Sequence, residues 1–175
     1  MKKLLVVVDY QVDFVNGALG FENADKLDSI IYNKIKEYRK ANNDVIFTFD
    51  THDNDYMKTE EGLNLPVMHC IKGTNGHKLF GTVSELFDEN NDVFFEKPTF
   101  PSLELGIYLK NKVYDEVEVC GLVSNICVLS NVVIVKAALP NAKIIVDKTA
   151  TDSFDKKLND YTFEILKGLH VNIIN

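Results

Sequence analysis

The chain has 175 residues, 46% hydrophobic and 26% charged. That is the balance of a globular protein with length for one sizeable core, so residues 1–175 are expected to form a single domain. The formal net charge is -7 and no basic stretch exceeds a pair, which argues against nucleic acid or an anionic membrane surface as partner.

Leu4–Val8 is a continuous aliphatic run, as a strand buried on both faces requires. Behind the basic tip Lys2-Lys3, this run is too short for a signal peptide or a membrane span, and Asp9 follows at once. The cytoplasm is therefore the expected compartment. Gly17 and Gly20 break the chain, and Asp25–Arg39 then carries Leu27, Ile30, Ile31, Ile35 and Tyr38 at helical spacing. Asp44–Phe49 reads as a second buried strand, ending on Asp50. Residues 51–81 are a long polar excursion holding three of the four histidines, and such a loop inside a compact domain is usually functional.

Asp92–Glu96 is a third strand, Leu103–Lys112 suits a helix, and Glu116–Cys120 is a fourth strand. Asn125–Leu139 is an apolar helix stopped by Pro140. Lys143–Val146 is a fifth strand, Lys156–Leu169 a helix closed by Gly168, and Val171–Ile174 a last strand. Strands alternating with helices imply right-handed crossovers and a parallel sheet, whose ligands sit beyond the carboxyl ends of the strands. Asp9, Asp50, Lys97 and the turn from Gly121 to Cys127 all fall at that edge. No GxGxxG or P-loop follows any strand, so nucleotide binding lacks support.

An acid, a lysine and a cysteine at strand ends make a nucleophilic site. If Ser124 or Asn125 caps the helix, Cys127 lies in its first turn, where free N–H groups and the positive end of the dipole stabilise a thiolate. Asp9 could take the thiol proton and return it to a leaving amine, and Lys97 could hold Asp9 ionised. Pro98 forces an extended turn after the lysine. Cys120 reads as core, and Cys70 is open to either reading because it adjoins His69. Three cysteines without paired spacing give no disulfide framework. Asp50, His52 and His69 are ligand types that divalent metals accept, with Glu61 able to reach the same place; a hydrogen-bonded polar loop explains the same spacing. His77 and His170 show no partner pattern.

Five strings carry a resemblance in chain order: VVDYQVDF (Val7–Phe14), DTH (Asp50–His52), LPVMHCIKGTNG (Leu65–Gly76), FEKPTF (Phe95–Phe100) and GLVSNICV (Gly121–Val128). With them the chain resembles the cysteine hydrolases of the isochorismatase-like superfamily, nearest the nicotinamidase branch. The resemblance implies a three-layer, doubly wound α/β fold with a mostly parallel six-stranded sheet in Rossmann-type order, and a catalytic triad of Asp9, Lys97 and Cys127. It implies a divalent metal on Asp50, His52 and His69 with Glu61 as a fourth ligand, zinc before manganese, iron or magnesium, holding a substrate ring nitrogen directly or through its waters. It also implies a cis peptide at Leu122–Val123 that aims the N–H groups of Val123 and Cys127 into an oxyanion hole, and assembly as a dimer or tetramer. Phe14 matches an aromatic of the substrate site. Leu65 stands near the position where nicotinamidases usually place an aromatic, often Trp, and the chain has no Trp.

The activity this implies is hydrolysis of a small aromatic or heterocyclic carboxamide to acid and ammonia through a thioester. Three rivals remain at this point. One keeps the fold and changes the reaction, as another small-molecule hydrolase or one that cleaves the vinyl ether of isochorismate, which its relatives do without a nucleophilic cysteine. The second is a thiol redox or metal-binding protein without hydrolase activity. The third is a binding or scaffold protein that retains the fold only.

Overall fold

A computed structural model describes residues 1–175. Its strands are β1 (Lys3–Val8), β2 (Asp44–Asp50), β3 (Val93–Lys97), β4 (Glu116–Leu122), β5 (Lys143–Asp152) and β6 (Asn172–Ile174). They form one sheet in the order β3-β2-β1-β4-β5-β6, and every neighbouring pair is parallel rather than only most of them. The helices are α1 (Val12–Val15), α2 (Leu27–Lys40), α3 (Glu60–Asn64), α4 (Leu103–Leu109), α5 (Leu129–Ala138) and α6 (Lys156–Gly168). No helix is long and apolar enough to cross a membrane.

Alternation along the central strand splits the core in two. Leu4, Val6 and Val8 face one side, where α4, α5 and α6 contribute Leu105, Leu109, Val132, Val135, Phe163 and Leu166. Leu5 and Val7 face the other, covered by Leu27, Ile31 and Ile35 of α2. The period of two in the strand and the four-residue spacing in the helix are what let these stripes meet. Burying each such aliphatic side chain contributes about 2 kcal/mol.

The strand order reverses between β1 and β4, and a crevice opens there at the carboxyl edge. Gly121 lets β4 pass close to β1: its φ is +110°, and a Cβ there would lie 1.9 Å from the Val8 carbonyl oxygen. Only glycine fits both conditions.

Two boundaries differ from expectation. The fifth strand does not stop at Val146. Its pairing shifts from Val119–Val146 to Gly121–Thr151, so three extra residues bulge before the strand resumes. The polar run Asp147-Lys148-Thr149 hides this continuation from a hydrophobic pattern. The segment before α5 is also not a capped α-helix. Ser124–Val128 form a single π turn in which the Val123 carbonyl accepts the N–H groups of both Ile126 and Val128 at 3.1 Å. Neither Ser124 nor Asn125 caps it: no side chain does, and the Ser124 hydroxyl is turned to Asn159 Oδ1, 2.5 Å away.

Candidate active site

The triad and Asp50 sit at or just after strand ends. Asp50 and Lys97 are the last residues of β2 and β3 and pair in register. Asp9 directly follows β1, and Cys127 lies in the turn after β4. From β3 to β1 is two strand spacings, about 10 Å, and lysine's four-methylene stem spans much of that gap. Lys97 Nζ lies 2.6 Å from Asp9 Oδ2 and 3.2 Å from Asp50 Oδ1. It also donates to the Thr99 carbonyl at 3.1 Å and approaches Cys127 Sγ at 3.6 Å. Lys97 Nζ thus sits among four acceptors, with Asp9 Oδ2 its shortest contact. Asp9 Oδ1 accepts from the Thr48 hydroxyl at 2.6 Å.

All three groups are almost wholly buried, with Asp9 at 0%, Lys97 at 1% and Cys127 at 4% exposure. Burial pushes the Asp9 carboxyl above the usual range, and Asp50 adds to it, against the opposing pull of Lys97. Burial pushes the Cys127 thiol well up, against Lys97 and reinforced by Asp9 and Asp50. Burial would neutralise Lys97, but Asp9, Cys127 and Asp50 outweigh it and hold the ammonium charged. The side-chain cap on which a helix-stabilised thiolate depended is absent, and at both Cys127 and Asp9, Lys97 opposes the larger effect of burial.

Beside the triad, donor atoms of Asp50, His52, Glu61 and His69 all lie within 4.8 Å of one another. Asp50 Oδ2 is 3.0 Å from His52 Nε2 and 3.2 Å from His69 Nε2. Glu61 Oε1 is 3.5 Å from the first and 3.8 Å from the second. The Thr59 hydroxyl caps α3 by accepting the Gly62 N–H at 3.0 Å, which fixes the turn that carries Glu61. Burial would raise Asp50, but Lys97 and the two histidines outweigh it and hold this carboxyl far below its usual range.

His69 Nδ1 lies 2.7 Å from the Val67 carbonyl. Donation there leaves a lone pair on Nε2, facing a carboxylate oxygen. Two acceptors in contact repel, so a positive charge, either a proton or a metal ion, belongs between them. Two imidazoles and two carboxylates suit a divalent cation, and a carbonyl holding the far ring nitrogen is the usual support for such a ligand. The residues present therefore fit a metal.

One cavity of about 710 Å³ joins the two groups: Cys127 and Val123 line it together with Asp50, His69, Phe14 and Leu65. Asp9 and Lys97 lie beneath its floor. The peptide between Leu122 and Val123 is cis.

Several contributors escape a reading of the sequence. Gln11 is fully buried and clamps Asp50 by its backbone, donating from Nε2 to the carbonyl at 2.9 Å and accepting the N–H at 2.8 Å. Tyr56 packs against both histidine rings, with centroids 4.6 Å and 4.9 Å away. Asn131 donates to the Cys127 carbonyl at 2.8 Å and accepts the Ser102 N–H at 2.9 Å, tying the nucleophile turn to the start of α4. Gln11 stands inside the first quoted string; Thr48, Tyr56 and Asn131 leave no local signal. His77 does have a partner: its Nε2 is 2.8 Å from Thr51 Oγ1. Cys70 and Cys120 are buried free thiols, and burial raises both.

Residues 3–174 match the sequence profile of the Isochorismatase domain. The chain belongs to the isochorismatase family. Among its relatives, a protein of Bacillus subtilis (strain 168) named as an uncharacterized isochorismatase family protein, PncA, is 32% identical over 168 residues, 90% of each chain. The crystal structure of a nicotinamidase/pyrazinamidase PncA from Bacillus subtilis superposes with a TM-score of 0.88 at 26% identity over 100% of both chains. The zinc complex of a Pyrococcus horikoshii pyrazinamidase has the same fold, with a TM-score of 0.85 at 19% identity over 100% of this chain and 99% of that one. Within the isochorismatase family, this chain is a hydrolase of the nicotinamidase-like branch.

Proposed function

We propose that this isochorismatase-family protein is a cysteine-dependent amidohydrolase that converts a small aromatic or heterocyclic carboxamide to its acid and ammonia. The observation that carries the reading is the Lys97 ammonium, 2.6 Å from Asp9 and 3.6 Å from Cys127 Sγ, beneath a cavity that the sulfur lines.

Because the buried thiol rests protonated, its proton has to leave as the sulfur attacks. Asp9, raised by burial, is the base. A carboxyl displaced toward neutrality both takes and returns a proton, which is what a group serving as base and then acid needs. The sulfur bonds to the carbonyl carbon, and the oxygen's negative charge falls on the N–H groups of Val123 and Cys127. Asp9 protonates the nitrogen, the C–N bond breaks and ammonia leaves. Water then attacks the thioester while Asp9 takes its proton; the C–S bond breaks and the sulfur recovers a proton. Lys97 keeps its charge throughout, stabilising whichever of Asp9 and Cys127 is anionic. Phe14 and Leu65 cover the ring. Asp50, His52, His69 and Glu61 would hold a divalent ion, zinc by the precedent of the Pyrococcus horikoshii pyrazinamidase, whose positive charge orients a substrate ring nitrogen.

The test is ammonia release over a panel of aromatic and aliphatic carboxamides, with isochorismate as a comparison. Cys127→Ala should abolish release with thermal unfolding nearly unchanged, and undiminished turnover by that variant ends the proposal.

A further inference from the structure

The cavity is larger than its proposed reaction needs, and its wall carries a distinctive charge. A volume of about 710 Å³ falls in the range that encloses a ligand of drug size, well beyond one ring and its amide. The charged side chains on the lining are Asp50, Glu60, Glu61 and His69, and no lysine or arginine joins them. Lys97 lies below, fully engaged. At the rim, Phe154 packs against Phe21, whose ring is covered by Lys156; that ammonium is paired with Asp152 at 2.5 Å.

Asp50 and Glu61 face the two histidines, so their charge is directed at the metal centre. Glu60 is different. It is exposed, and its one side-chain partner is Asn64, one turn along α3, which donates Nδ2 to Oε1 at 2.8 Å. The same Nδ2 also donates to the Glu60 carbonyl at 2.9 Å, so the Asn64 amide is held against Glu60, and both residues line the cavity. Leu65, the proposed ring cover, follows directly and lines it too. A group carried by the ring beyond Leu65 would therefore lie near the negative charge of Glu60.

We infer that Glu60 and Asn64 form the specificity wall of this site and select carboxamides whose distal substituent is neutral or cationic over those that carry an anion. This rests on the amidohydrolase reading for its turnover arm but not for its binding arm. A charge pair at a wet pocket rim changes affinity by about fivefold, and reversing the sign of the wall doubles that effect on a logarithmic scale.

The experiment uses three pyridine-3-carboxamides matched in size, carrying methyl, aminomethyl or carboxylate on the ring carbon away from the amide. Binding is measured by calorimetry on Cys127→Ala and turnover by ammonia release on the otherwise unaltered chain. Each is done with Glu60, Glu60→Gln and Glu60→Lys. The aminomethyl compound should bind about fivefold or more tighter than the carboxylate compound. The ratio should collapse toward one in Glu60→Gln and invert in Glu60→Lys, chiefly through KM rather than kcat. Glu37→Gln, on α2 and remote from the cavity, changes net charge equally and should leave the ratio alone. Equal binding of all three compounds, or a ratio that moves as much in Glu37→Gln as in Glu60→Gln, overturns the inference. Absence of ammonia release from any amide overturns the amidohydrolase reading instead, and the binding ratio still decides for or against the wall.

Discussion

Thr48→Val tests how the proton balance of the site is set. Thr48 and Asp9 are both fully buried, and the hydroxyl donates to Asp9 Oδ1 at 2.6 Å. Valine keeps the shape and removes the donor, leaving Oδ1 without its hydrogen bond. A hydrogen bond to a charged group is worth about 1.5–3 kcal/mol, and one pKa unit is 1.36 kcal/mol, so Asp9 should rise by about 1–2 units. The sign follows from the charge. The hydroxyl favours the carboxylate and opposes the upward push of burial, so removing it drives Asp9 further up. If Asp9 is the base, the acidic limb of kcat/KM against pH moves to higher pH by that amount, while the plateau above it recovers. Stability should fall by about 2 kcal/mol where the carboxylate is ionised, or about 4–8 °C in Tm for a chain of this size, and by less at acid pH. The assays are an ammonia-release pH profile and thermal unfolding at two pH values. A limb that stays put while stability falls would refute the assignment of Asp9 as base, and unchanged stability would refute the hydrogen-bond argument itself.

Gln11→Ala removes both arms of the clamp on Asp50, leaving a buried N–H and C=O unpaired; about 2–4 kcal/mol of stability should be lost in urea unfolding, with weaker metal retention on dialysis. His52→Ala should lower the bound divalent metal found by elemental analysis of the purified protein, and equal metal in both proteins counts against the centre. Burial would raise Asp147, but hydrogen bonds from Lys34 and Thr149 bring it down to about 2. A depressed carboxyl contributes stability that is full above pH about 4 and lost as pH falls through 2, here about 2 kcal/mol. Asp147→Asn should flatten that part of the acid-unfolding curve, and an unchanged curve would show the ion pair with Lys34 to be idle.

Much of the fold is legible because buried parallel strands advertise themselves. Leu4–Val8 is aliphatic throughout and Val45–Phe49 is aliphatic or aromatic but for Thr48, as strands covered on both faces need be. Where polar residues interrupt the pattern the reading fails: β5 runs on to Asp152 past Asp147-Lys148-Thr149, because that bulge points its acid at Lys34 on α2. The capped-helix reading of Ser124 and Asn125 fails likewise, since the hydroxyl finds Asn159, a partner 35 residues away.

The chain by itself determined which chemistry-bearing residues stand at strand ends, because a strand's end is a local property of its own hydrophobic run. Asp9, Asp50, Lys97 and Cys127 could be named on that ground. Their partners and protonation were decided by the tertiary structure alone. Thr48 on Asp9, Gln11 on Asp50 and Lys97 across two strands are meetings of distant segments. Whether Cys127 rests as thiol or thiolate depends on how completely those meetings exclude water, because burial and fixed charge act through space and not along the backbone.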